Sequence, residues 1–193
     1  MAAAKEFAGP VALRAIANDP APRSDAGAVR LDLRSGGGVR RAAREIRAAF
    51  RDEGRPLDGF AVQPMLEGGV ELLVGVTHEP SFGPVIVCSV GAPTAEVSRE
   101  LAVRITPLTD VDAREMARSL RRFLRSASGQ PVWHSEALED VLLRLSALVE
   151  AHAEIAELEL DPLVVLADGP RVVDARVRLE SPPTPRPPLA LRD

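Results

Sequence analysis

The sequence predicts an α+β fold, a mixed and mostly antiparallel sheet with helices packed against it. Short runs of strand character alternate with three segments whose apolar residues recur at helical spacing. Clusters of Gly, Pro, Asp and Ser separate most of these runs. The chain has 193 residues with 46% hydrophobic content, enough for a real core in one domain, or in one domain with a tail. Aromatics make up only 3% of it, so Val, Leu and Ala must do most of the packing. A formal net charge of −4 provides no basic field for nucleic acid. The one cysteine, Cys88, excludes an internal disulfide; set in an apolar run, it reads as an inert buried thiol. No apolar run approaches the roughly 20 residues of a membrane span, and Met1–Gly9 lacks a signal-peptide layout. A soluble, cytoplasmic protein without a membrane partner is expected.

Taken in order, AAAKEFAG resembles the end of a helix and Pro10–Ile16 a short strand that contains Arg14. The loop NDPAPRSDAG leads into Ala28–Arg34, where Val29, Leu31 and Leu33 alternate with charged residues as in a half-buried strand. Gly36-Gly37-Gly38 punctuates before a helix over 39–53, with Val39, Ala42, Ala43, Ile46, Ala49 and Phe50 inward and a solvated face rich in arginine. Phe60–Leu66, Val70–Val76 and Pro84–Val90 are strands. The first two are joined by Glu67-Gly68-Gly69, good hairpin chemistry because glycine reaches positive φ cheaply. The second and third are joined by the polar loop Thr77–Gly83.

Leu101–Pro107 is a further strand. Thr109 and Asp112 form a capping box for a helix over 110–125, whose inner stripe includes Met116 as core rather than ligand. A helix over 135–152 follows, capped by Ser135. Ile155–Leu166 and Pro170–Leu179 form a last antiparallel pair turning at Ala167-Asp168-Gly169, and a Pro-rich tail over 181–193 is expected to be disordered. The three histidines are scattered without metal-ligand spacing.

Two groups of acids stand out. Glu71 sits in a strand among apolar residues: it is either an edge-strand carboxylate facing water or one that needs a cation or hydroxyl partner. Glu157, Glu159 and Asp161 alternate with leucines, so all three carboxylates share one face, where they bind a divalent cation or repel one another.

The run VQPM followed by ELLVGVTHEPSFGPVIV, with Gln63, Met65, Glu71, Gly75, Val76, Pro80, Phe82, Gly83 and Pro84 in place, resembles the ATP-grasp domain of ADP-forming acyl-CoA synthetases of the acetate–CoA ligase type. That domain also occurs fused to GNAT-type acetyltransferases. The resemblance runs from about Ala2 to Glu180. It implies an ATP-grasp-like fold and a partial module, a domain over 1–180 lacking the family's preceding helix and strand. It also implies that the chain is part of a larger multidomain protein with a CoA-binding domain.

By the same resemblance, ATP or ADP and Mg²⁺ are the cofactors. Arg14, Gln63, Glu71, Gly91 and Glu96 fall at nucleotide-binding positions, and Glu159 and Asp161 at metal positions. The chain departs from the family at several of its ligand-contacting motifs. Arg14 stands where the family has a lysine; as a planar fork it does not reproduce a compact ammonium, and it reads equally as a surface arginine. Pro22 and Arg23 stand where the family has His-Lys, that histidine belonging to the phosphoryl relay. Of the family's Gly-Leu-Gly-Gly turn, Ser89-Val90-Gly91-Ala92 keeps one glycine, and Ser128 replaces an arginine. Residues needed for folding are mostly kept while ligand-contacting ones change. The resemblance thus implies an eroded module with weak or lost nucleotide binding, sensing a ligand or regulating an acetyltransferase fusion. The alternative is an active nucleotide-binding lobe of an ADP-forming ligase.

Overall fold

The computed structural model describes residues 9–17, 27–91, 101–128 and 135–181. The chain divides into two units, Met1–Glu67 and Gly68–Asp193. The first holds β1 (Val11–Ile16), β2 (Val29–Leu33), α1 (Gly36–Asp52) and β3 (Gly59–Pro64). Its sheet has the order β2-β1-β3, antiparallel throughout. Val11 and Leu13 on one face of β1 pack against Val39, Ala42, Ile46 and Phe50 of α1. The helix begins three residues earlier than its apolar periodicity implies. Ser35 caps it, its Oγ accepting from the Gly38 N–H at 3.1 Å, so the three glycines form the first turn rather than a break before it. Beyond the helix end Arg55 stacks over the Phe50 ring at 4.5 Å, and the arginines of α1 lie on its exposed side as their spacing predicts.

The second unit holds β4 (Val70–Glu79), β5 (Gly83–Val90), β6 (Leu101–Ile105), α2 (Asp110–Ser128), α3 (Ser135–Ala151), β7 (Ile155–Leu166), β8 (Gly169–Val172) and β9 (Ala175–Leu179). Its six strands run β6-β5-β4-β7-β8, with β9 also pairing with β7, and every pairing is antiparallel. One face carries Leu72, Val74, Val76, Ile86, Cys88, Leu158, Leu163 and Val165. They pack against Met116 and Leu120 of α2 and Leu138, Leu142 and Leu145 of α3. Cys88 is fully buried there, and burial pushes its thiol up to about 12. It is inert, as its apolar strand predicts.

Two strand expectations change. Glu67-Gly68-Gly69 does not close a hairpin: β3 pairs with β1, and β4 with β5 and β7. The glycine pair signals positive φ but says nothing about which strands pair. The segment 170–179 pairs antiparallel with β7 as expected, but as two strands, β8 and β9, separated at Val173-Asp174. On β7, Leu160 lies opposite Val74 and Leu163 opposite Leu72, so Asp161 and Pro162 together face the single residue Leu73. This one-residue bulge carries Leu160 and Leu163, an odd number of positions apart, onto the same core face.

Thr109 and Asp112 form the predicted box. The Asp112 N–H donates to Thr109 Oγ1, while Thr109 Oγ1 and N donate to Asp112 Oδ2 at 2.6 and 2.9 Å. These hydrogen bonds, chiefly the one from the Thr109 hydroxyl, hold the Asp112 carboxyl below its ordinary value, with Arg104 adding to the effect. Because the folded-state value is depressed, the stabilisation is complete above the ordinary carboxylate range and is lost as pH falls from there through the depressed folded-state value. Asp112→Ala is therefore expected to melt a few degrees below the unmodified chain at pH 7, and the gap should narrow toward pH 3. A gap unchanged between the two pH values would show that the ionised carboxylate is not what stabilises the helix start.

Candidate functional site

In the first unit, Arg14 pairs with Ala61 and Val29, and Gln63 with Ala12. Directly paired residues share a face, so Arg14 and Gln63 stand on the same face of the three-stranded sheet, opposite the one that covers α1. The sheet thus presents a guanidinium and an amide together, one able to meet phosphate and the other able to donate and accept at once.

In the second unit, Glu71 is exposed, which agrees with its water-facing reading. Its strand is not an edge, however: β4 lies between β5 and β7. Leu72, Val74 and Val76 face the helices, so Glu71, Leu73 and Gly75 face the opposite, outer side. The Gly91 N–H donates to the Glu71 carbonyl at 2.8 Å, and a Cβ on Gly91 would lie 3.2 Å from that oxygen. Gly91 and Glu71 are therefore brought together, and the glycine is there because the backbones approach closely. Glu96 lies outside the described residues, as do Pro22, Arg23 and Ala92.

The acids of β7 also face outward. Glu159 lies opposite Gly75 and Arg176, and Glu157 opposite Arg178. Alternation predicts a triplet of Glu157, Glu159 and Asp161, but the structure uses these residues differently. Arg178 donates to Glu157 at 2.9 Å and holds its carboxyl below the ordinary range, so Glu157 is neutralised locally. Asp161 instead neighbours Asp174, whose carbonyl accepts from the Asp161 N–H at 3.2 Å. Partial desolvation, and then the charge of Asp174, raise the Asp161 carboxyl above its ordinary value. Asp174 is thus the acid that the spacing argument did not assign to the site. It belongs to the Val-Asp-Ala-Arg run, and the interruption between β8 and β9, which both run antiparallel to β7 in the same direction, sets it beside the bulge of β7. Among the described residues no group of three His, Cys, Asp or Glu forms a ready-made metal cage. Two adjacent carboxylates with oxygen-only chemistry suit Mg²⁺, which takes its remaining ligands from phosphate and water.

His78 sits at the far end of β4, where Nδ1 is 3.1 Å from the Ala156 carbonyl oxygen. A carbonyl only accepts, so Nδ1 carries the proton. Its sequence parity is that of Val76, on the helix side of the sheet and away from the acids.

An ATP-grasp domain model matches residues 1–179 of the chain. The beta subunit of acetate–CoA ligase (ADP-forming) II of Pyrococcus furiosus is 34% identical over 92% of this chain and 78% of that subunit. The chain belongs to the ATP-grasp domains of the ADP-forming acetate–CoA ligase family. The single-chain acetate–CoA ligase (ADP-forming) I of Archaeoglobus fulgidus is 36% identical over 91% of this chain but only 26% of its own length, so this ATP-grasp chain spans about a quarter of that relative. The acetyl-coenzyme A synthetase 1 of Ca. Korarchaeum cryptofilum, solved with coenzyme A and Ca-AMPCP, superposes with a TM-score of 0.83 at 32% identity, over 93% of this chain and 80% of that one. The same synthetase has also been solved with Mg-AMPPCP. No described helix of this ATP-grasp chain is long and apolar enough to cross a membrane.

Proposed function

We propose that this ATP-grasp domain binds a nucleotide through Mg²⁺ within a larger cytoplasmic protein, and that it senses a ligand or regulates a fused acetyltransferase rather than relaying phosphate. The observation that carries the binding half is the Asp161–Asp174 pair on the outer face of β7. The charge of Asp174 opposes the ionisation of Asp161 and a cation relieves that, and the relative solved with Mg-AMPPCP supplies the nucleotide chemistry by likeness. Asp161 and Asp174 would hold the ion, with Glu159 beside them, and the ion would supply charge neutralisation for the phosphates. Within the first unit Arg14 and Gln63 are the candidates for phosphate and for base or ribose groups, and within the second Glu71, Gly91 and Glu96 are candidate nucleotide contacts.

The regulatory half rests on the ligand-contacting departures. Pro22 takes the place of the relay histidine, and Ser89 and Ala92 replace glycines where phosphate must approach backbone amides. Active ligase chemistry remains the second reading, favoured by the identity to acetate–CoA ligases. Calorimetry with ATP or ADP is expected to show weak binding that requires Mg²⁺. Asp161→Ala should lower the affinity roughly tenfold, about 1.4 kcal/mol. Protons compete with the ion, so binding should also weaken as pH falls through the raised Asp161 value. Tight binding without metal, or no change in Asp161→Ala, refutes the role given to the acids.

A further inference from the structure

The outer face of the second unit's sheet carries three arginines, and they are not used alike. By register Arg171 lies opposite Val164, Arg176 opposite Glu159 and Arg178 opposite Glu157, which sets all three on the side away from the helices. Arg171 donates to Asp168 at 2.9 Å. Arg178 donates to Glu157 at 2.9 Å and also pairs with Glu180. Arg176 and Glu159 stand directly across from each other in the same ladder, yet among the described residues no hydrogen bond or ion pair closes on Arg176. Its charge reaches Glu157, adding to the stronger hold of Arg178, so the guanidinium lies over this face.

Three successive rungs of the β7/β9 ribbon therefore differ in charge. Glu157 with Arg178 is closed, Glu159 with Arg176 is complementary but open, and Asp161 with Asp174 sets two like charges together. The Asp174 carboxylate is steadied by its own turn, Oδ1 accepting from the Ala175 N–H at 2.8 Å. A divalent ion on two carboxylates leaves no positive charge over, so a polyphosphate joining it needs a further cation. The chain's single lysine, Lys5, lies outside the described residues, and Arg171 and Arg178 are spent on carboxylates. Arg176 is the cation left on this face. It stands one rung from the acids, about 7 Å at strand spacing, on an exposed side chain free to turn toward them. Its fork of five donors can meet a phosphate with two and still face Glu159 with the others.

Resting on the nucleotide–Mg²⁺ reading of this site, we infer that Arg176 grips a phosphate of the bound nucleotide, with Glu159 opposite it as its positioning residue rather than as a ligand of the ion. The acids of β7 then divide into three duties. Glu157 is neutralised by Arg178, Glu159 orients Arg176, and Asp161 with Asp174 holds the ion. Alternation alone makes the three acids of β7 equivalent; the residues that β9 and its preceding turn set against them do not.

The test uses the whole chain and separates phosphate from ion. Calorimetry at saturating Mg²⁺ follows ATP and inorganic triphosphate, and electron paramagnetic resonance follows Mn²⁺ alone. Arg176→Met is expected to weaken ATP and triphosphate alike by about tenfold or more. The same variant should bind Mn²⁺ as well as the parent or slightly better, because a positive charge near the ion is gone. Arg176→Lys should recover part of the loss, since it keeps the charge without the fork. Glu159→Gln should weaken triphosphate a few-fold and change Mn²⁺ binding far less than Asp161→Ala does. The side chains of Arg176 and Glu159 are not core, so melting temperatures should stay close to that of the parent. Unchanged triphosphate binding in Arg176→Met overturns the inference. So does a loss for ATP alone, which would set Arg176 at the base or ribose, or a Glu159→Gln variant that loses Mn²⁺ as fully as Asp161→Ala. A parent that binds no ATP at any Mg²⁺ concentration overturns the nucleotide reading itself, and this inference with it.

Discussion

Gly69→Ala is expected to cost about 2–5 kcal/mol of stability, while the same change one residue earlier costs about 1–2 kcal/mol. Both glycines hold positive φ, +73° at Gly68 and +87° at Gly69, so each substitution carries the backbone penalty of a left-handed L-residue. Only Gly69 adds a collision. A Cβ there would lie 2.7 Å from Leu166 Cδ2, 2.9 Å from Val164 Cγ1 and 2.9 Å from the Val165 carbonyl oxygen, whereas nothing lies within 4 Å of one on Gly68. The carbonyl belongs to an internal strand of the sheet and cannot rotate away, so β4 and β7 must separate locally. Thermal or urea unfolding of the two variants side by side measures the difference. Equal losses would mean that the close approach to β7 contributes nothing.

The second large effect is an absence of chemistry. No phosphohistidine should form when the full-length protein is incubated with labelled ATP, or with acyl-CoA and labelled phosphate, then digested and mapped. A relay needs an imidazole that accepts and passes on the phosphoryl group, and Pro22 has neither a nucleophile nor an N–H. The other histidines are poorly placed to replace it. His78 stands seven residues along β4 from Glu71, about 23 Å at strand spacing, and its parity sets it on the helix side of the sheet. His152 is exposed and held by Glu154 at 3.0 Å, beyond the end of α3. His134 lies outside the described residues. Label on any of the three would restore the ligase reading. Pro22→His with Arg23→Lys is not expected to rescue turnover, because Ser89, Ala92 and Ser128 still depart from the family at phosphate-contacting positions.

Much of this was legible in the sequence because the signals were local. The Thr109–Asp112 box, alternating valines, the stripe with Met116 and the apolar setting of Cys88 each reflect a neighbourhood of a few residues. What was not legible depended on pairing. Glu67-Gly68-Gly69 has hairpin composition, yet its positive φ values serve the close approach of Gly69 to β7, a contact nearly 100 positions away in the chain. Glu157 and Asp161 look equivalent by alternation, and only the register of β9 gives one an arginine and the other a second aspartate. At the candidate site, the residue types and the strand of the acids were readable. That Asp174 accompanies Asp161 was not, because it depends on where a later strand returns.

The extra residue of β7 also constrains how the chain tolerates change in length. Asp161-Pro162 acts as a phase shifter within one strand: just before it Glu157 and Glu159 face outward, and after it Leu163 and Val165 face the helices. Removing a single residue at that point would turn Leu163 and Val165 off the helix-facing core onto the other face of the sheet and Val164 toward the helices, or else drive Asp161 toward the core. A one-residue deletion, harmless in most surface turns, is therefore forbidden here. Aligned relatives that keep both the acids and the buried valines must keep the count between them.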